Sequence, residues 1–318
     1  MATTKIQAAT QTAKRSFSAG SVISAIGRWI VRNRIYLIAF AIPAVLTYLA
    51  YALFGLYPFG EESVLCLDLN GQYVYYFEAL RDAFWGDGSI FYNWSRNLSG
   101  EFMGIIGYYL ASPFTLIVML LPEKFMLSSL LIMQLCKLGA AGATFNYFLQ
   151  KRRGVQPYPS LLFSTMYAMM AYGVIQLIDP MWLDGLVFLP LIMLGIEYLV
   201  DDGRRLNFII PLALMCVANF YIGYMICFFV ILYFLFYLCF GSDKKRKGYD
   251  YFTAFVRIAY SSVIALACAA FMLLPVYNAL KLGKFEFTDP DYSFRFQSFP
   301  LSKKLLENAQ DSPLLVFL

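Results

Sequence analysis

Asp68 opens the run Asp68-Leu-Asn-Gly-Gln-Tyr73, a carboxylate placed where acid–base chemistry could be done. Such a group can take the proton of a hydroxyl as that hydroxyl attacks an electrophilic centre. The same carboxylate, just ahead of a helix, could instead cap it by accepting an orphan amide of the first turn. Spacing leaves both readings open. A second acidic site is Asp179-Pro-Met-Trp-Leu-Asp184, where two acids flank Trp182. It reads either as an interfacial Trp anchor with two solvated acids or as a carbohydrate platform. In the second reading Trp182 stacks on a sugar while Asp179 or Asp184 binds hydroxyls or a metal. Lys137 lies well inside an apolar run. A charge there is costly and marks a functional candidate, either holding a lipid phosphate or pairing with a buried acid. Arg96, Lys281, Lys284 and Arg295 are further cations that could meet a phosphate.

The residue inventory narrows the chemistry. The 318-residue chain has no histidine, so proton transfer falls to carboxylates, Lys, Tyr or Cys. Six cysteines form no C-x-x-C pair, and five lie in apolar runs, which predicts core filling. No Gly-rich phosphate loop, G-x-S-x-G elbow or H-E-x-x-H is present, so ATP-driven and hydrolase chemistry have no support.

The elements that position these residues are membrane helices. The chain is 60% hydrophobic and 14% charged, with a mean hydropathy of +0.62; a soluble domain carries about 25% charged residues. Apolar runs at 36–57, 102–121, 125–149, 159–178, 185–200, 206–241 and 252–277 are the candidate spans. Residues 1–60 hold six basic groups and no acid, while 58–101 hold seven acids against Arg81 and Arg96. The basic arm reads as a cytoplasmic anchor on anionic lipid, not a nucleic-acid tail. By the positive-inside rule residues 1–35 are cytoplasmic, 58–101 form the first outer loop, and Lys151, Arg152 and Arg153 return inside. Segment 102–121, broken by Gly104, Gly107, Ser112 and Pro113, is then expected to dip in and return. Basic flanks on 206–241 predict a helical hairpin turning near Asn219–Gly223. Glu197 and Arg257 are expected to snorkel at cytoplasmic ends. The result is an all-α, polytopic transmembrane bundle of about seven spans plus one re-entrant segment. Its membrane module covers 36–277, and 278–318 lie on the outer face. In the first loop Tyr73, Tyr76, Phe77, Leu80 and Phe84 fall at helical spacing opposite Glu78, Arg81 and Asp82. This predicts an amphipathic juxtamembrane helix lying on the outer leaflet.

Four stretches carry a resemblance: Asp68-Leu-Asn-Gly-Gln-Tyr73; Gly107-Tyr-Tyr-Leu-Ala-Ser-Pro-Phe114; Met181-Trp-Leu-Asp184 with Leu189-Pro-Leu-Ile-Met-Leu-Gly195; and Asn219-Phe-Tyr-Ile-Gly-Tyr-Met225. Together and in this order, across residues 36–300, the chain resembles the YfhO family of bacterial polytopic membrane proteins, which are similar to GT-C glycosyltransferases. The resemblance implies a GT-C-like fold and a polyprenyl-phosphate-linked sugar donor. It also implies a glycan or wall-polymer acceptor, such as a teichoic-acid-type chain, on the outer face. It implies an essential acid in the first outer loop, a place Asp68 occupies, with Asp184 or Asp179 as a secondary acid. The reaction expected is an inverting transfer, with Tyr73, Arg96, Lys137, Asp179, Trp182 and Asp184 around the substrates and a divalent metal as a candidate cofactor. Members of the family are longer, so 278–318 is expected to open a longer C-terminal part. The rival readings are a transporter or flippase of lipid-linked saccharides, which would place polar groups at the bilayer midplane, and a non-catalytic truncated membrane protein.

Overall fold

The computed structural model describes residues 19–94, 100–242 and 248–281. It is helical almost throughout. The long helices are α1 (Ala19–Leu53), α5 (Met126–Arg152), α8 (Leu183–Asp202), α10 (Phe220–Phe236, prolonged by a π turn to Gly241) and α11 (Gly248–Leu280). The shorter ones are α2 (Val74–Trp85), α3 (Met103–Ile105, running into a π turn at Ile106–Leu110), α4 (Thr115–Leu120), α6 (Pro157–Ala168), α7 (Ala171–Ile175) and α9 (Leu206–Ala218). A two-residue hairpin, β1 (Tyr92–Asn93) against β2 (Gly100–Glu101), is antiparallel.

Among the described residues, five helical stretches are long and apolar enough to cross a membrane: Ser24–Leu53, Glu123–Arg152, Pro180–Asp202, Phe220–Gly241 and Gly248–Leu280. The chain is an all-α polytopic membrane protein. The helices pack side by side between two ends, one marked by Asp179 and the other by Arg152. Helix α1 runs antiparallel to α5: the Tyr57 hydroxyl lies 2.6 Å from that of Ser128, and the Tyr36 and Tyr147 rings sit 5.5 Å apart. Helix α5 ends where Arg152 bonds Glu197 and Asp201 of α8. Helix α6 turns back along α5, with Asn146 Nδ2 donating to Ser160 Oγ at 3.0 Å.

Two apolar runs resolve into pieces. Segment 102–121 is not one helix but α3 with its π turn, a bend at Ser112–Phe114, and α4. Segment 159–178, expected as one span, is α6 and α7 with a break at Met169–Met170. The run 206–241 splits at Asn219, the only extended residue between α9 and α10 (φ −157°, ψ 112°). Gly195 of α8 lies against Asn207 and Phe208, and Gly185 against Ile222. Thus α9 returns antiparallel to α8 and α10 runs back alongside it: a hairpin. Asn219 makes so sharp a turn workable by accepting from the Ile222 amide at 2.8 Å, which caps α10.

The amphipathic helix is present, with a different partner. Tyr73, Phe77 and Leu80 are buried, but against Phe102, Ile105, Ile106, Leu110, Val118 and Met119 of the broken segment. Protein, not lipid, therefore covers this face, and Phe84 points away, 62% exposed. Arg81 ties the two together by donating to the carbonyls of Val118, Met119 and Leu121. A cation there matches the unsatisfied carbonyls at the end of α4. Glu197 does not snorkel. It is fully buried and accepts from Arg152 at 2.8 Å and from Arg153 at 2.6 Å. Pairing lets the carboxylate stay inside. Among the cysteines, Cys216 is buried, whereas Cys239 and Cys268 face outward.

Candidate functional site at the Asp179 end

Asp68 stands exposed at the head of the π turn Leu69–Tyr73 that leads into α2. Its side chain caps nothing. Oδ1 instead accepts from Gln72 Nε2 at 3.2 Å, and Gln72 Oε1 accepts from the Tyr109 hydroxyl at 3.1 Å. The residue before it, Leu67, has φ +48°, a left-handed conformation that a branched side chain rarely adopts. Strain of this kind persists where surrounding structure fixes it and clusters at functional sites.

Tyr73 is fully buried and donates to Asp179 Oδ1 at 3.0 Å. Its ring centroid lies 5.1 Å from that of Tyr109, and Tyr76 lies 4.9 Å from Tyr109 on another side. Tyr109 thus stands between the two acidic segments. Partial burial holds the Asp179 carboxyl above the ordinary carboxylate range. The Tyr73 hydroxyl pulls it back, and the charge of Asp68 pushes it up again. Burial, followed by the charge of Asp179, raises the Tyr73 phenol, so this hydroxyl stays protonated and donates.

Beneath this layer Lys137 and Asp184 meet, 1% and 0% exposed, with Nζ 2.7 Å from Oδ2. Of the two alternatives for Lys137, the buried acid is the partner found. Lys137 also donates to the Pro180 carbonyl at 2.8 Å, and Ser112 Oγ donates to Asp184 Oδ1 at 2.8 Å. The pair therefore pins the 180–184 turn and the bend of the broken segment to α5. Asp184, expected at the surface of a platform, is turned inward. Trp182 is half-buried between two core clusters.

The structure therefore brings Asp68, Tyr73 and Asp179 together at one end, with Lys137 and Asp184 as the support under them. Arg96, Lys284 and Arg295 lie outside the described residues; Lys281 is exposed just after α11. Gln72 and Tyr109 complete the layer and were not singled out from sequence. The four-residue step from Asp68 to Gln72 is a signal for the first, because residues at i and i+4 share a helix face. Ser112 was legible from sequence only as a helix breaker, and nothing local pointed to its bond with Asp184. Among the described residues, no three His, Cys, Asp or Glu side chains gather as a metal site would need, and Asp68 with Asp179 supply only part of a donor set.

The sequence matches a family described as "Bacterial membrane protein YfhO" over residues 39–308. A relative from Bacillus subtilis (strain 168), the "Uncharacterized protein YfhO", is 27% identical over 168 residues, covering 47% of this chain and 19% of that protein. The chain thus spans only a small part of that relative's length. No solved structure matches it. With the match covering most of the chain and the apolar helices in place, this multi-pass membrane protein belongs to the YfhO family.

Proposed function

We propose that the chain is the membrane module of an inverting glycosyltransferase of GT-C type, which moves a sugar from a polyprenyl-phosphate-linked donor to a glycan or wall-polymer acceptor on the outer face. In this reading Asp68 takes the proton of the acceptor hydroxyl as its oxygen attacks the anomeric carbon. The lipid phosphate leaves, and a cation nearby stabilises its charge; exposed Lys281 is one candidate for this. Asp179, held by Tyr73, positions the substrates beside Asp68. The single observation that carries the reading is the state of Asp68. Its carboxylate is exposed, free of any capping duty, oriented through Gln72 by Tyr109, and set after a strained residue.

The reading includes seven crossings. Helix α9, at 13 residues, is about 20 Å long, and α6, at 12 residues, is about 18 Å; α9 and the α6–α7 pair nonetheless travel from the Arg152 end toward the Asp179 end. With the N-terminus cytoplasmic, the Asp179 end faces outward. A transporter is less well supported, because Lys137, the one deeply buried cation among the described residues, already has its counter-charge in Asp184. The experiment is reconstitution of the protein in vesicles with a radiolabelled polyprenyl-phosphate monosaccharide and a wall-polymer fragment. Label should pass to the fragment, and its retention on the lipid by folded protein contradicts the proposal.

A further inference from the structure

We propose that one anionic phospholipid, from the leaflet at the Arg152 end, sits in the groove between α5, α8 and α9. Its phosphate meets Arg32, Lys151 and Arg204, and part of one acyl chain fills the groove. This goes beyond sugar transfer and does not rest on it. The groove holds about 240 Å³, below the roughly 300–1,000 Å³ usual for small-ligand sites. That suits part of one chain and not a whole lipid. Its walls are Tyr147 of α5, Leu191 and Leu194 of α8, and Leu206, Ile210 and Pro211 of α9. Asn207 adds an amide that can reach glycerol or ester oxygens, and no charged side chain lines the groove. Leu191, Leu194 and Tyr198 fall at i, i+3 and i+7, so they share one face of α8. The apolar floor therefore leads up to the Tyr198 phenol. Ordinary bilayer tails need only apolar walls; what sets this place apart is the polar ring at its mouth.

Three phenols and three cations meet in that ring. The Tyr36 and Tyr147 ring centroids are 5.5 Å apart, and Tyr36 is close enough to both Tyr147 and Tyr198 to interact electrostatically with them. None of the three hydroxyls has a hydrogen-bond partner among the described residues. Lys151 Nζ lies 5.7 Å from the Tyr147 ring centroid, and the Arg204 guanidinium 5.3 Å from that of Tyr198. Arg32 stands one turn before Tyr36, and Lys151 one turn beyond Tyr147, each on the same face as its tyrosine. Since α1 and α5 are antiparallel, Arg32 and Lys151 come to one level. All three cations are exposed. Arg and Lys make strong charge-assisted hydrogen bonds to phosphate, and phenols add neutral donors. The acids of this end do not cancel them. Glu197 and Asp201 are taken up by Arg152 and Arg153, Asp202 lies 4.0 Å from Arg204 on the exposed side, and Asp250 heads α11 with an interaction of its own. The undescribed segments that join this end add further positive charge: 1–18 hold Lys5, Lys14 and Arg15 without an acid, and 243–247 hold Asp243 among Lys244, Lys245, Arg246 and Lys247. A basic pocket between membrane helices on the cytoplasmic side suits an anionic headgroup. A zwitterionic lipid brings its own ammonium to the phosphate and gains less from these cations.

Native mass spectrometry of the protein released from detergent micelles tests this, with phosphatidylglycerol and phosphatidylcholine of identical chains supplied equally. We expect one retained phosphatidylglycerol, favoured about tenfold or more. Arg32→Gln/Lys151→Gln/Arg204→Gln should abolish the preference, while Lys151→Arg should keep it. Ile210→Trp, at a position 53% exposed, fills the groove and should lose most of the retained lipid. Thermal melts check the folding of each form. Should the triple form not fold, Lys151→Gln alone takes its place, with the preference expected to fall about fivefold. Equal retention of the two lipids overturns the assignment, as does an unchanged preference once the cations are removed. Undiminished retention by Ile210→Trp would mean charge attraction without a seat in the groove. Displacement of the lipid by an equal concentration of glycerol 3-phosphate would mean a site for a free anion. Either result also overturns it. None of these substitutions touches the Asp179 end, so failure of the sugar-transfer reading leaves this test unchanged.

Discussion

Lys137 and Asp184 sit at the bottom of the site, and their burial fixes what substitution should do. Removing one partner leaves an uncompensated charge, worth about 3–5 kcal/mol, whereas replacing both by apolar groups of similar volume is close to neutral. Lys137→Met should therefore lower the thermal midpoint sharply, and Lys137→Met/Asp184→Leu should recover most of it. A double variant as unstable as the single would mean that the contacts of Lys137 to Pro180 and of Asp184 to Ser112 outweigh the charge pair. Above them, Tyr73→Phe removes the hydroxyl that favours ionised Asp179. The folded carboxyl already lies above its ordinary value. Its contribution to stability is thus fully present below the unfolded pKa and is lost as pH rises through the folded one. The variant should accordingly lose more stability at pH 7 than at pH 4, by melting curves at both; an equal loss at both contradicts the assigned contact. At this scale the sequence was partly legible. Lys137 stood out as the lone cation in an apolar run, but its partner lies 47 residues away, and no local pattern sets the relative rotation of two helices. The capping alternative for Asp68 was reasonable from spacing, but the π turn directs the carboxylate toward Gln72 instead.

Helix contacts here depend on close backbone approach. A Cβ on Gly195 would meet the Asn207 carbonyl at 2.4 Å and Phe208 Cα at 2.6 Å, so α8 and α9 touch only because this residue has no side chain. Gly195→Ala should destabilise by about 1–3 kcal/mol through overpacking, while Gly27→Ala, with nothing within 4 Å, should be neutral or slightly stabilising. Asn219 carries the hairpin turn and also donates to the Tyr108 carbonyl at 2.7 Å, so the turn and the broken segment share one side chain. Asn219→Ala should cost the cap, about 1 kcal/mol, and more for the carbonyl left unpaired. Thermal melts would check both changes. The break in 102–121 could be read from Gly104, Gly107, Ser112 and Pro113, and the Asn219 turn from its basic flanks. The break at Met169–Met170 could not, because no proline marks it. There Gly173 lets the chain fold back onto the Ala168 carbonyl, which a Cβ would meet at 2.2 Å. The partner of the amphipathic helix was also hidden, since an apolar stripe says that something covers it and not whether that is lipid or protein.

Across the whole molecule the charge bias and the packing agree on two unlike ends. Arg152, Arg153, Arg204 and Arg205 gather at one, and Asp68, Asp82 and Asp179 at the other. Single-cysteine variants in a background without native cysteines should show Asp87→Cys labelled by an impermeant reagent from outside and Arg204→Cys labelled only after permeabilisation. The reverse pattern would place the site in the cytoplasm and remove the outer-face acceptor. Membrane class and family were readable from composition and four short motifs, because hydropathy acts over whole segments. The assembly of the site was not, because it joins residues from four separate stretches.

The most direct test of the account is sugar transfer by Asp68→Asn protein in vesicles, beside the unaltered protein and with insertion and melting checked in both. The substitution keeps size and most hydrogen bonding, including a carbonyl to accept from Gln72, and removes the base. General-base catalysis is worth about 10²–10⁴ in rate. The account predicts a loss of that order with stability changed little, since this side chain caps no helix. Transfer within a few-fold of the unaltered protein would contradict it.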